Sequence, residues 1–287
     1  MNILITGCNG QLGTEMRLLS AEHQQHTYFF TDVAELDITD LNAVEQFVGN
    51  NSINLIVNCA AFTAVDRAES EEPLARRINA DAVENLGIAA NANCAKVIHV
   101  STDYVFSGDH CTPYGEDEPT APTGAYGRTK LEGEQRLIKS CPQSAVVRTA
   151  WLYSPWGNNF MKTMLRLGAE RDSLNVVYDQ IGSPTAAQDL ANAIFTIIET
   201  PEFQPGIYHF TNEGVCSWYD FTRAIHELAG ITCDVRPIRS EQYPTPTKRP
   251  NYSVLDKSKI KSAYGVSIPH WHEALRITLK RYLEQNK

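Results

Sequence analysis

Met1-Asn2-Ile3-Leu4-Ile5-Thr6-Gly7-Cys8-Asn9-Gly10-Gln11-Leu12-Gly13 opens the chain. The apolar run Asn2–Thr6 reads as a strand and Gln11–Ser20 as a helix, with glycines every third position between them. Glycine permits a tight turn and a close backbone approach to a pyrophosphate, and a helix N-terminus offers free N–H groups and the positive end of its dipole. The stretch therefore predicts a dinucleotide cradle, with Gly7, Asn9, Gly10, Gln11, Leu12 and Gly13 as cofactor-binding residues. A purely structural turn is the alternative reading.

The same alternation continues outward. Thr27–Thr31, Asn54–Asn58, Lys96–Ser101 and Ser144–Thr149 read as strands; Asp40–Asn50, Pro73–Asn93 and Tyr126–Ser140 read as helices. In Pro73–Asn93, Leu74, Ile78, Ala82 and Leu86 recur every fourth residue, as a single long helix requires. Strand–helix alternation predicts an α/β fold: a Rossmann-like, doubly wound parallel sheet. The second half is less regular. Asn159–Leu167, Thr185–Glu199, Ser217–Ala229 and His270–Asn286 look helical, Gly206–Phe210 looks like a strand, and residues 235–252 read as loop. The expected division is an NAD(P)-binding Rossmann domain over 1–150. A smaller, mainly substrate-binding lobe follows over 151–287, with some segments returning to the first domain.

Composition narrows the function classes. The chain has 287 residues, 43% of them hydrophobic, and a net charge of -9. So acidic a surface argues against nucleic acid or an anionic membrane as the main partner. The seven cysteines are odd in number and form no CxxC pair, as expected of reduced cysteines in a cytoplasmic protein. No apolar run approaches the roughly 20 residues of a membrane helix, and no signal-peptide pattern precedes the first strand. The eight histidines show no metal-like spacing.

Asp32 ends the second strand, about 20 residues beyond the glycines, where a carboxylate hydrogen-bonds a ribose 2′-hydroxyl and repels a 2′-phosphate; it favours NADH over NADPH. Asp37 and Ile38 stand in a loop able to reach an adenine. Ala60, Ala61 and Thr63 follow the third strand, where small residues leave room in the crevice. Tyr126-Gly127-Arg128-Thr129-Lys130 is a YxxxK, and residues four apart share one helix face. A lysine cation beside a phenol favours the phenolate, which brings proton transfer toward neutral pH. Thr102, directly after a buried strand, supplies a hydroxyl at the edge where open α/β sheets bind ligands. The expected catalytic residues are Tyr126, Lys130 and Thr102, with Tyr126 and Lys130 also meeting the cofactor.

GCNGQLG, NCAAFT, STDYVF and YGRTK together resemble the extended short-chain dehydrogenase/reductases. TAVDRAES at 63–70, GNNFMKTMLRL at 157–167, DQIGSPT at 179–185 and YPTPTKRPNYSVL at 243–255 narrow the resemblance to that family's reductases of 4-keto sugar nucleotides. The resemblance implies reduction of a dTDP-linked 4-keto-6-deoxy sugar to dTDP-L-rhamnose with NADH or NADPH, for cell-surface polysaccharide synthesis. Tyr126 would protonate the forming alkoxide, Thr102 would steady it, and Lys130 would tune Tyr126 and bind the ribose. The implied substrate residues are Thr102, Asp103 and Trp151, with Asn159 and Arg249 as candidates for the nucleotide end. Trp218 reads as core or pocket, with core favoured.

Some members of that group hold Mg²⁺ at a homodimer interface through glutamates. Glu15 matches one such position, but Gln188-Asp189 occupies the second region and no third ligand is matched, so no metal residue is assigned. Two other readings stay open. A dehydratase or epimerase of the same superfamily is one, although Thr102-Asp103 is followed by Tyr104 where a dehydratase has glutamate. A non-catalytic subunit resembling the regulatory subunit of methionine adenosyltransferase is the other, against which the intact Thr102, Tyr126 and Lys130 argue.

Overall fold

The computed structural model describes residues 1–285; Asn286, the expected end of the last helix, lies outside the described residues. Five strands of the first half, β1 (Asn2–Thr6), β2 (Thr27–Thr31), β3 (Leu55–Asn58), β4 (Lys96–Thr102) and β5 (Ser144–Thr149), join Gly206–His209 in one six-stranded sheet. Every pairing is parallel, in the order β2, β1, β3, β4, β5, then Gly206–His209. All residues of β3 and β5 are buried, as expected of strands covered on both faces.

The helices are α1 (Gln11–Leu19), α2 (Leu41–Asn50), α3 (Val65–Ser70), α4 (Glu72–Arg76), α5 (Ala82–Ala92), α6 (Ala125–Ser140), α7 (Phe160–Glu170), α8 (Ala187–Glu199), α9 (Trp218–Ala229), α10 (Ser258–Tyr264) and α11 (Trp271–Gln285). One face of the sheet buries Ile3, Ile5 and Val57 against Met16 of α1 and Ile194 of α8. The other buries Leu4, Ile56 and Val97 against Val44 of α2, Leu86 of α5 and Leu137 of α6. A third core, around Met161, Phe221 and Leu275, unites α7, α9 and α11. Local signals set the boundaries: Asp40 accepts from the Ala43 N–H, a Ser217–Asp220 capping box starts α9, and Gly230 ends it in the left-handed region at φ 68°. Among the described residues no helix is long and apolar enough to cross a membrane.

Two expectations are corrected. Pro73–Asn93 is not one regular helix: α4 and α5 are joined by a π-helical turn, Arg77–Asp81. The wider turn carries Asn79, whose Oδ1 accepts from the Phe62 N–H at 2.8 Å and whose Nδ2 donates to the Phe62 carbonyl and the Thr129 hydroxyl. An inward asparagine tying the loop after β3 to α6 thus interrupts the i+4 ladder, a common use of such turns. Within the expected loop over 235–252, Asp234–Ile238 is a strand, paired in parallel with Ser173–Val177. Pro237 hides it from a pattern reading, yet a two-stranded pair leaves an open side that tolerates the missing N–H.

Candidate active site

The strand order reverses between β1 and β3, and in open α/β sheets ligands bind at the carboxyl ends beside such a switch point. A cleft of about 460 Å³ lies there, lined among others by Gly7, Gly10, Asp32, Asp37, Ile38, Ala60 and Ala61. Gly7 has φ 63°, and a Cβ on it would stand 2.6 Å from the Ala60 nitrogen; one on Gly13 would stand 2.3 Å from the Gly7 carbonyl oxygen. The cradle therefore closes only on bare backbone at 7 and 13. Gly7→Ala is expected to cost at least ~2 kcal/mol, from left-handed strain plus the clash, and to lower Tm by several degrees in a thermal melt. Gly10→Ala, whose Cβ would meet only the Gly7 carbonyl at 3.3 Å, is the milder control.

Thr102, at the end of β4, and Tyr126, in the first turn of α6, bring their hydroxyls side by side. Thr102 Oγ1 also donates to Asp103 Oδ1 at 3.0 Å. Burial raises the Asp103 carboxyl to about 6 and pushes the Tyr126 phenol well above its usual value. Lys130 is 1% exposed, and its Nζ donates to the Val100 carbonyl at 2.7 Å. The structure thus joins Thr102 to Tyr126 but turns the lysine toward β4. Burial, not the lysine, dominates the phenol, which corrects the expectation that Lys130 sets its acidity.

A larger cavity, of about 720 Å³, is lined by Asp66 and Tyr104 of the first half and otherwise by second-half residues. Tyr104 lines it and packs edge-on against Tyr126, with ring centroids 5.5 Å apart. Phe160, Met164 and Trp218 form an apolar wall, while Arg171, Arg236 and Arg249 bring positive charge. Trp151 stacks on Trp218 at 3.5 Å in the left-handed conformation (φ 51°), and a Cβ on Gly182 would strike its ring at 2.7 Å. Trp218 both packs on the third core and lines this cavity, so the favoured reading of core is incomplete. Tyr104, Arg171, Arg236 and Trp218 were absent from the sequence-derived site. Only Tyr104 carried a signal, its place beside Thr102-Asp103.

Other expected site residues fall elsewhere. Leu12 is core, packed with Ile3 and Met16, because its side chain projects from α1 onto the sheet. Thr63 is exposed and outside the lining of either cavity. The Asn9 backbone N–H bonds Asp32 at 3.1 Å, tying the glycine loop to β2. Gln11 accepts from Ser154 and from Asn159, whose amide caps α7 and also donates to the Ser154 and Trp156 carbonyls. Asn159 ties the start of α7 to Gln11 of α1 and does not line the larger cavity. Arg249 does line it, but its guanidinium is held by Asp66 at 2.6 Å and by the Tyr104 hydroxyl at 3.0 Å.

Glu15 does not fit a metal. It is 1% exposed, and both its oxygens accept from Arg281, at 3.0 and 2.9 Å, with a further bond from the Trp156 indole. Arg281 also donates to Gln188. A guanidinium already supplies the positive charge that a cation would bring.

The doubly wound sheet and the glycine cradle define a Rossmann-like nucleotide-binding fold. The family model described as RmlD substrate binding domain matches residues 1–284, and the chain belongs to that family. The chain is 40% identical to dTDP-4-dehydrorhamnose reductase of Aggregatibacter actinomycetemcomitans, over 98% of this chain and 99% of the relative. A dTDP-4-dehydrorhamnose reductase of Clostridium acetobutylicum superposes with a TM-score of 0.95 at 44% identity, over 99% of this chain and 100% of that one. The Bacillus anthracis enzyme, solved in complex with NADP, superposes with a TM-score of 0.94 at 38% identity, over 98% of this chain and 99% of that one.

Proposed function

We propose that the protein reduces dTDP-4-dehydro-L-rhamnose to dTDP-L-rhamnose with NAD(P)H in the cytoplasm, feeding synthesis of cell-surface polysaccharide. The carrying observation is the buried Thr102–Tyr126 hydroxyl pair beside a cavity that holds both an aromatic wall and arginines. A nicotinamide dinucleotide suits the cleft at the switch point: Gly7 and Gly13 leave bare backbone for a pyrophosphate, and Asp32 stands at the ribose end. When bound, it supplies the hydride for the sugar C4 ketone. Tyr126 gives its proton to the oxygen that develops charge, and its buried, firmly protonated phenol suits a donor. Thr102 holds that oxygen in place. Arg171 and Arg236 attract the diphosphate, and Arg249 joins them once it exchanges Asp66 for a phosphate.

The test supplies 4-keto-6-deoxy-L-mannose nucleotides carrying dTDP or UDP and follows oxidation of NADH and NADPH. Stoichiometric oxidation with the dTDP sugar is expected, and Asp32 predicts that NADH is used at least as well as NADPH. Conversion of the sugar with no net loss of reduced nucleotide would instead mark an epimerase or dehydratase.

A further inference from the structure

Behind Tyr126 a row of buried polar side chains crosses three neighbouring strands of the sheet. Thr6 of β1, Asn58 of β3 and His99 of β4 are register partners on three adjacent strands, and each is at most 1% exposed. Thr6 Oγ1 donates to Asn58 Oδ1 at 2.7 Å, and Asn58 Nδ2 lies 2.9 Å from His99 Nδ1. His99 Nε2 lies 3.3 Å from Lys130 Nζ. Buried polar groups cost stability unless bonded, so a row of three calls for a reason.

One end fixes the direction of the row. The Ala60 backbone N–H, which can only donate, bonds Asn58 Oδ1 at 3.1 Å. The amide oxygen of Asn58 therefore faces Ala60 and Thr6, and its NH2 faces His99. His99 Nδ1 must accept, so neutral His99 carries its proton on Nε2, aimed at Lys130. An ammonium has no lone pair for that proton, whereas an uncharged amine does. A charged imidazole would set Nδ1–H against the Asn58 NH2, and burial with the nearby lysine pushes His99 well below its usual range.

We propose that the Thr6–Asn58–His99 row favours the uncharged amine of Lys130 in the free protein, so that above the neutral range Lys130 takes up a proton from solvent when a nicotinamide dinucleotide binds. His99 is then a positioning residue, acting through the lysine. The inference rests on the cofactor reading above: ribose hydroxyls and phosphates offer acceptors and negative charge, which favour an ammonium. Burial lowers Lys130 to about 8, so in the free protein the amine prevails above that pH and the ammonium below it. The other ionisable neighbours are Tyr126, one turn back on α6, and Glu134, one turn on. Glu134 favours the ammonium, but Arg148 of β5 clamps it at 2.7 Å.

Binding of NADH and NADPH to the full chain, followed by nucleotide fluorescence between about pH 6.5 and 9.5, tests this. Wild-type affinity should fall about tenfold per pH unit above about pH 8, because binding then requires a proton. Calorimetry at about pH 8.5, in two buffers of different ionisation enthalpy, should register uptake of more than half a proton. Asn58→Asp replaces the NH2 with a second acceptor. His99 would then donate from Nδ1 and offer Nε2 to an ammonium, moving the onset up by about one pH unit or more and reducing the uptake. His99→Leu, which removes the donor, should move the onset the same way. An unmoved onset in folded variants, or wild-type binding without proton uptake, overturns the proposal. Failure to bind either nucleotide at any pH removes the cofactor reading itself, and the inference with it.

Discussion

Tyr126→Phe is expected to bind NADH and NADPH as the wild type does and to lose turnover by a factor of ~10²–10⁴, the usual contribution of a positioned proton donor. Phenylalanine keeps the ring, so the edge-on contact with Tyr104 and the packing near Phe62 and Ala125 survive. What disappears is the hydroxyl beside Thr102. The reduction direction needs the phenol protonated, and burial holds it so across the neutral range. Steady-state oxidation of the reduced nucleotide with saturating keto sugar measures the loss; a fluorescence titration of nucleotide affinity checks that binding is intact. Turnover within tenfold of wild type would remove Tyr126 as the donor and direct attention to Asp103, whose carboxyl is raised to about 6.

Arg148→Ala is expected to be the most damaging single change to stability. Arg148 of β5 and Glu134 of α6 are 2% and 1% exposed. They meet side-on: Nε donates to Oε1 at 3.1 Å and NH2 to Oε2 at 2.7 Å. Removing the guanidinium leaves a buried carboxylate without its counter-charge, which costs about 3–5 kcal/mol. The guanidinium also lies over the Phe106 ring, 5.1 Å from its centroid, so packing is lost as well. Chemical denaturation should show the loss directly, and Tm should fall by on the order of 10 °C. The double variant Arg148→Met with Glu134→Leu should recover most of it, because two apolar side chains leave no charge to solvate. If the double variant is as unstable as the single one, packing rather than the unpaired charge accounts for the effect.

The ease with which each part was read from sequence tracks how local its signal is. The cradle has strand, glycines and helix within twenty residues, and the structure places Gly7, Gly10 and Asp32 at one cleft. Thr102, Tyr126 and Lys130 were legible because a helical spacing and a strand end each fix a side chain's place. Leu12 misled because the motif's spacing does not say which face of α1 turns inward. The larger cavity was only partly legible. Arg171 precedes one short strand and Arg236 lies within another, and the two strands pair only in three dimensions; Asp66 meets Arg249 across 183 positions of chain. The lysine's orientation was hidden as well, since it depends on a histidine 31 positions away on another element. The π-turn at Arg77–Asp81 was hidden because its cause, Asn79, acts through contacts made by distant loops.

The strand Gly206–His209 closes the outer side of β5, and it comes from beyond α8. During synthesis, the first 150 residues therefore emerge with β5 as an open edge whose N–H and C=O groups lack their partner, a template for pairing with another chain. The sheet is complete only after some sixty further residues have left the ribosome. A gene fragment cut at the apparent end of the nucleotide-binding half should thus yield an aggregating product, and a successful truncation would have to keep the returning strand and α8, which covers the sheet beside α1.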